Sequence, residues 1–168
     1  QMQIECLHGH CGSGHECSNQ QLQRQAFPLR YIAHLESKGI SLMAGDAIGP
    51  KQCIGEYTGE VITKQQYKHR LQRARSNCHI YGMLLNNQDV IDATRKGSII
   101  RFANHSCSAN AVIERWEVDG EEYCGLYALE AIAKDNEISF DYRAETFMGR
   151  VSTRCYCKAS NCRGYVAI

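Results

Sequence analysis

Apolar residues along this chain gather in short β-branched or aromatic runs bounded by glycine, proline, asparagine or aspartate, the pattern of a strand-rich fold. The runs at 29–35, 53–57, 80–85, 111–118, 121–128 and 137–141 are read as strands. Trp116-Glu117-Val118 and Glu121-Glu122-Tyr123 flank Asp119-Gly120, a dipeptide suited to the positive φ angles of a type I′ turn, which predicts a hairpin there. One helix stands out at 64–75. Thr63 can cap it and Gln66, three residues on, completes a capping box, while Tyr67, Leu71 and Ala74 recur at helical spacing and give it one packing face. The expected class is mainly β with few short helices.

Composition narrows this further. The 168 residues suit one compact domain with small appendages. Two prolines, 14 glycines and no apolar run near the ~20 residues of a membrane span exclude collagen-like, disordered and helical membrane classes. Lysine plus arginine number 19 against 18 acids, so no global field draws the chain to nucleic acid or membrane and charge must act locally. The helix at 64–75 carries Lys64, Lys68, Arg70, Arg73 and Arg75, and no acid occurs between Glu60 and Asp89. That face could touch nucleic-acid phosphate, or be a solvated face with arginines placed favourably near the C-terminal end of the dipole. The opening residues show no basic n-region and no apolar h-region, which points to a reducing compartment.

Ten cysteines make the chemistry specific. In Cys155-Tyr156-Cys157 followed by Cys162, thiolates one and then four residues apart can converge on one ion, and tetrahedral zinc asks for a fourth ligand. Cys107 is the candidate, because it ends an unusual polar run, Asn104-His105-Ser106-Cys107, in an apolar region. Such an ion would staple the C-terminal tail across the domain; a disulfide or free thiols are the alternatives. Cys6, Cys11 and Cys17 form a second set, one ligand short. Either His8, His10 or His15 completes it, or the missing ligand lies upstream.

Four segments combine glycine, aromatic and amide residues in ways that packing does not require: Lys38-Gly39-Ile40-Ser41, Gly55-Glu56-Tyr57-Thr58-Gly59-Glu60, Arg101-Phe102-Ala103-Asn104-His105-Ser106-Cys107, and Ile138-Ser139-Phe140-Asp141-Tyr142. In order and spacing they resemble the glycine-turn, GEYxGE, RFxNHSC and FDY motifs of SET-domain protein lysine methyltransferases, with a post-SET CxCx4C tail behind them. The likeness runs from about Glu5 to Tyr165. The opening resembles the second half of the AWS segment found before SET in enzymes acting on lysine 36 of histone H3, and 90–97 and 161–165 are similar to that group too.

The resemblance implies residues 1–25 as a partial AWS segment, 26–143 as the SET domain and 144–168 as the post-SET zinc tail. It also implies a fold of several small curved sheets with a threaded C-terminal segment. It implies S-adenosylmethionine as cofactor, S-adenosylhomocysteine as product, and zinc. Tyr142 becomes the catalytic tyrosine, with Tyr57 and Tyr81 lining the lysine channel and Phe140 beside it. Cofactor contacts carried over are Lys38, Gly39, Ile40, Tyr81, Arg101, Asn104, His105, Tyr142 and Tyr156. Zinc falls to Cys107, Cys155, Cys157 and Cys162, and a second ion to Cys6, Cys11 and Cys17. His105, which could otherwise be a zinc ligand or general base, is given structural hydrogen bonds instead. Phe140 stands where the family carries phenylalanine or tyrosine, and without a tyrosine hydroxyl products beyond monomethyl-lysine are expected.

The implied partner is a histone tail or nucleosome, in the nucleus on chromosomes, with DNA contact through the 64–75 helix, no membrane, and a monomeric state. Acids from Glu114 onward could attract a basic tail, or be ordinary solvated surface. Three departures stand out: Gly39-Ile40-Ser41 lacks the aromatic and second glycine of the family's turn, Gly97-Ser98 replaces glycine-asparagine, and Ala109 replaces a proline. The first predicts weakened cofactor affinity in an intact enzyme. Alternatives are lysine 4 of histone H3 or a non-histone lysine as target, or a catalytically silent module that binds chromatin or partners.

Overall fold

The chain's structure, a computed structural model, describes residues 3–74, 79, 81–142 and 152–167. In chain order it forms β1 (Gln3–Ile4), α1 (Gln21–Arg24), β2 (Arg30–Leu35), β3 (Gly39–Ala44), β4 (Cys53–Glu56) and β5 (Glu60–Thr63). Then come α2 (Lys64–Arg73), β6 (Gly82–Leu84), β7 (Asp89–Asp92), β8 (Asn104–His105), β9 (Ala111–Val118) and β10 (Glu121–Ala128). β11 (Ser139–Phe140), β12 (Ser152–Arg154) and β13 (Tyr165–Ala167) complete it. The fold is mostly β, as expected, in small sheets ordered β1-β9-β10-β4, β5-β7-β6, β2-β3, β8-β11 and β12-β13.

The hairpin β9–β10 is the longest pairing and runs in continuous register from Val118↔Glu121 to Ala111↔Ala128. Asp119 and Gly120 sit at φ 52° and 80°, the left-handed pair that a type I′ turn requires. The strands expected at 29–35, 53–57 and 137–141 are trimmed to β2, β4 and β11. Gly82–Leu84 is what forms of the 80–85 run, whose Ile80 lies outside the described residues. β5 and β7 escaped the sequence reading because each is four residues long and finds its partner only across α2.

The core gathers side chains from many elements: Leu42, Ile54, Met83, Ile100, Leu126 and Ile138 are each at most 1% exposed. Full burial of such a side chain contributes about 1.5–3 kcal/mol. α2 begins as predicted. The Thr63 hydroxyl accepts from Gln66 N at 3.2 Å and Gln66 Oε1 accepts from Thr63 N at 2.9 Å, a cap worth about 1 kcal/mol. Tyr67 plugs the helix into the sheet, and Gly82 is required beneath it, since a Cβ there would lie 2.0 Å from the Tyr67 hydroxyl. The helix ends at Arg73, and Arg75 lies outside the described residues. Arg70 differs from the solvated or phosphate-binding role read from sequence: it pairs with Asp92 at 2.7 Å and Glu60 at 2.9 Å, tying α2 to β7 and β5.

At the N-terminus, β1 runs parallel to β9 on the sheet edge. The buried Glu5 carboxylate accepts from Leu22 N at 2.7 Å and Gln23 N at 3.2 Å, satisfying the free amides of α1. At the other end, β11 runs parallel to β8 in the register Ser139↔Asn104 and Phe140↔His105. This pairing brings the two most distinctive sequence motifs side by side.

Candidate active site and metal centres

The β8–β11 pair delivers Tyr142 to the centre of the site. Its backbone N donates to His105 Nδ1 at 3.2 Å and its hydroxyl donates to the Ala103 carbonyl at 2.8 Å. Its ring lies 4.8 Å from Phe140 and 5.4 Å from His105, centroid to centroid. Tyr57 is buried, and Tyr81 and Tyr142 pack against the same core cluster. The three phenols share one neighbourhood. Burial first, and then the neighbouring charges of Tyr142, Tyr67 and Tyr81, raise the Tyr57 pKa well above its ordinary value. Tyr142 is raised by burial, then by Tyr81 and Glu137; Tyr81 is raised by burial against a smaller opposing pull from Arg101. All three therefore stay protonated at neutral pH and act as hydrogen-bonding walls rather than bases.

Phe102 joins this aromatic group. Its ring meets Tyr81 edge-on at 5.6 Å, and the Arg101 guanidinium lies 4.7 Å from the Phe102 centroid and 5.9 Å from that of Tyr81. Sequence reading placed Phe102 in a motif without giving it a role. The signal was its position beside Arg101, which positions both rings.

A cavity of about 390 Å³ opens on the other side of Tyr142. Lys38, Asn104, His105, Tyr142 and Tyr156 line it, five of the residues nominated for the cofactor, together with Arg154 from the tail. Gly39, at φ 73°, turns the chain at its edge. Ile40 enters through its carbonyl, which accepts from Asn104 Nδ2 at 3.2 Å. Tyr81 and Arg101 are not among the lining residues and belong to the aromatic group.

Asn104 is held by groups that the sequence did not single out. Its Nδ2 also donates to Ser41 Oγ at 2.7 Å and Glu137 Oε1 at 3.2 Å. Glu137 in turn pairs with Lys38 at 2.5 Å. With three acceptors sharing the two amide protons, Oδ1 is the atom Asn104 can offer to a ligand, and it suits an ammonium. Ser41, where the family pattern has glycine, thus supplies a bond of its own.

Both cysteine sets converge. The sulfurs of Cys107, Cys155, Cys157 and Cys162 lie within 4.8 Å of one another, as do those of Cys6, Cys11 and Cys17. Cys107 and Cys155 are 4.0 Å apart, against ~2.03 Å for a disulfide and about 3.8 Å for two thiolates on tetrahedral zinc. Backbone amides support sulfur charge: Arg163 N donates to Cys107 Sγ and Gly164 N to Cys162 Sγ, both at 3.4 Å. At Cys157 burial acts upward, but bonds from Ala159 and Cys107 backbone and from Cys155 and Cys162 prevail and bring the thiol down to about 6. The donor set fits zinc. In the N-terminal set no histidine among the described residues joins the three sulfurs; the rings of His8 and His15 form a tilted pair 5.8 Å apart.

The SET domain pattern matches residues 39–143. The histone-lysine N-methyltransferase Set2 of Drosophila melanogaster is 41% identical over 159 residues, 93% of this chain and 7% of that protein. The H3 lysine-36 specific histone-lysine N-methyltransferase of Saccharomyces cerevisiae is 39% identical, over 97% of this chain and 22% of that protein. ASHH2 of Arabidopsis thaliana, another histone-lysine N-methyltransferase, is 38% identical over 98% of this chain and 10% of its own length. The chain thus spans less than a quarter of these curated relatives. In fold, it superposes with TM-score 0.88 and 23% identity on the methyltransferase domain of human SETMAR, covering 99% of this chain and 67% of that one.

Proposed function

From the premise that this chain belongs to the SET-domain family, we propose that it methylates a histone lysine, lysine 36 of histone H3 on nucleosomes, as a protein-lysine N-methyltransferase. One observation carries the reading: Tyr142 lines the cavity and also packs against the aromatic group, a wall common to both.

S-adenosylmethionine supplies an electrophilic methyl group and leaves as S-adenosylhomocysteine. The chain's residues must bind it, admit a lysine stem and keep the target amine neutral. Asn104 Oδ1 would receive an α-ammonium, and Tyr156 offers an exposed ring at the cavity rim. Tyr57, Tyr81, Phe102, Phe140 and Tyr142 form the apolar surround in which a lysine, with a pKa near ~10.4 in water, loses its proton more easily. The Tyr142 phenol orients the amine through its oxygen while donating its proton to Ala103. Alignment and exclusion of water then carry the rate. Cys107, Cys155, Cys157 and Cys162 would hold zinc, and so held would fix the tail that lines the cavity.

Nucleosomes place the protein in the nucleus, on chromosomes. DNA contact is proposed through α2, on which Arg70 is engaged within the fold. The test is transfer of labelled methyl groups to nucleosomes carrying single lysine substitutions. Loss of label only when lysine 36 is replaced supports the reading; loss at lysine 4, or label on non-histone protein alone, overturns the target. Tyr142→Phe is expected to lower turnover about 10²–10³-fold with cofactor affinity nearly unchanged. A silent module is separated by calorimetry: no heat on titrating S-adenosylmethionine overturns the enzymatic reading.

A further inference from the structure

We propose that Arg163 couples the C-terminal metal centre to the cofactor cavity, so that occupancy of either strengthens the other. The inference rests on reading that cavity as the S-adenosylmethionine site.

Arg163 follows the metal-set residue Cys162, and its guanidinium grips Asp141, the residue before Tyr142. Nη1 donates to Asp141 Oδ2 and Nη2 to Asp141 Oδ1, both at 2.8 Å. A two-bond fork fixes distance and angle together, which a single ionic contact does not. The pair is partly shielded, with Arg163 19% and Asp141 39% exposed at the side chain. At the same residue, Arg163 N donates to Cys107 Sγ. One residue thus holds a metal-set sulfur through its backbone and the loop to Tyr142 through its side chain.

His105 adds a second strand to the connection. Nδ1 accepts from Tyr142 N, and Nε2 lies 3.4 Å from Cys107 Sγ. Arg163 Nη2 packs against that same nitrogen at 3.4 Å. Sulfur, imidazole, guanidinium and carboxylate form a chain of contacts where β8 and β11 end.

The tail is also held by Asn161 Nδ2, which donates to the Cys107 carbonyl at 3.2 Å. Among described residues 153–166 only Cys155 and Val166 are buried. Yet Thr153, Arg154, Cys155 and Tyr156 make one wall of the cavity. A docked tail is therefore the state that metal and cofactor both favour, and linkage makes their effects on each other equal. The Arg163–Asp141 fork transmits that preference to Tyr142 and Asn104, on the opposite wall.

The experiment measures amide hydrogen exchange across 153–157 in zinc-loaded protein, with and without saturating S-adenosylhomocysteine, alongside zinc content by elemental analysis. In the wild type the ligand is expected to slow exchange about tenfold, within the usual range of such couplings. Arg163→Met keeps the apolar stem and is expected to reduce the slowing to less than about twofold with zinc content unchanged. Arg163→Lys, which restores charge without the fork, falls between. Should Arg163→Met misfold, Asp141→Asn removes the charge from the other side and is expected to give the same partial loss. Equal slowing in wild type and Arg163→Met, with the ligand bound by both, overturns this inference alone. A wild type that binds no S-adenosylhomocysteine by calorimetry overturns the reading of the cavity and this inference with it.

Discussion

The two cysteine sets look alike in sequence and differ in what they join. Cys6, Cys11 and Cys17 lie within one loop, in a segment already fixed by the pairing of β1 with β9 and by the Glu5 carboxylate on α1. Glu5, Cys17, Gln20 and Leu22 are buried there. The C-terminal set reaches from Cys155 to a sulfur 48 residues earlier in the chain and joins a tail of almost no core to the middle of the fold. The first set reinforces a local structure. The second creates a long-range one, and a cavity wall depends on it. The free energy of binding an ion appears as folding free energy where no other contact orders the chain.

The largest expected effect separates the two directly. Cys157→Ser is expected to weaken S-adenosylhomocysteine binding by more than about 100-fold, because the tail wall is lost with the metal. Cys11→Ser is expected to change it by less than about threefold while lowering the thermal midpoint. Calorimetric titration of both proteins checks the contrast, and equal losses would break it. Chelation should reproduce the Cys157→Ser result in the wild type.

A second test asks whether the N-terminal segment stands without its metal. Glu5→Gln removes the charge that two α1 amides share in a buried site, and should cost about 2 kcal/mol in denaturant unfolding. Methyl transfer under native conditions should be unchanged. A fall in turnover at full folding would mean that this segment touches the chemistry after all.

How much of this was readable in the sequence depends on distance along the chain. The Asp119-Gly120 turn and the Thr63–Gln66 cap are local, each fixed by residues that determine their own backbone geometry, and both appear as expected. β8 and β11 are two residues each and exist only because they pair across an intervening hairpin, so no periodicity marks them. The same limit applied to the site. The motif residues were identifiable one by one, whereas Glu137 between Lys38 and Asn104, and Arg163 on Asp141, are contacts between segments that only the fold brings together. Arg70 shows the opposite error: a cation counted on a basic face was engaged by Asp92 from β7, itself a strand the pattern had not shown. The gathering of Cys107 with the tail cysteines was legible for a simple reason, since a three-thiolate cluster asks for one more donor.

The smallest effect concerns the wall opposite the tail. Ser41 stands where the family pattern has glycine, and sequence alone reads that as damage to the cofactor turn. In the fold its hydroxyl is fully buried, accepts from Asn104 Nδ2 at 2.7 Å and lies 3.5 Å from the Gly39 carbonyl, to which it can donate. The hydroxyl therefore tethers Asn104 to the turn from which Lys38 and Ile40 reach the cavity. Ser41→Ala removes one such bond, worth about 1 kcal/mol, or roughly fivefold in cofactor dissociation constant. The maximal rate should be unchanged, since the partners of the hydroxyl are Asn104 and the Gly39 carbonyl. Tighter binding in Ser41→Ala, or in Ser41→Gly, would mean that the serine obstructs the site. A fivefold loss against the 100-fold loss from Cys157→Ser would show that the core side of the cavity tolerates drift where the metal-held side does not.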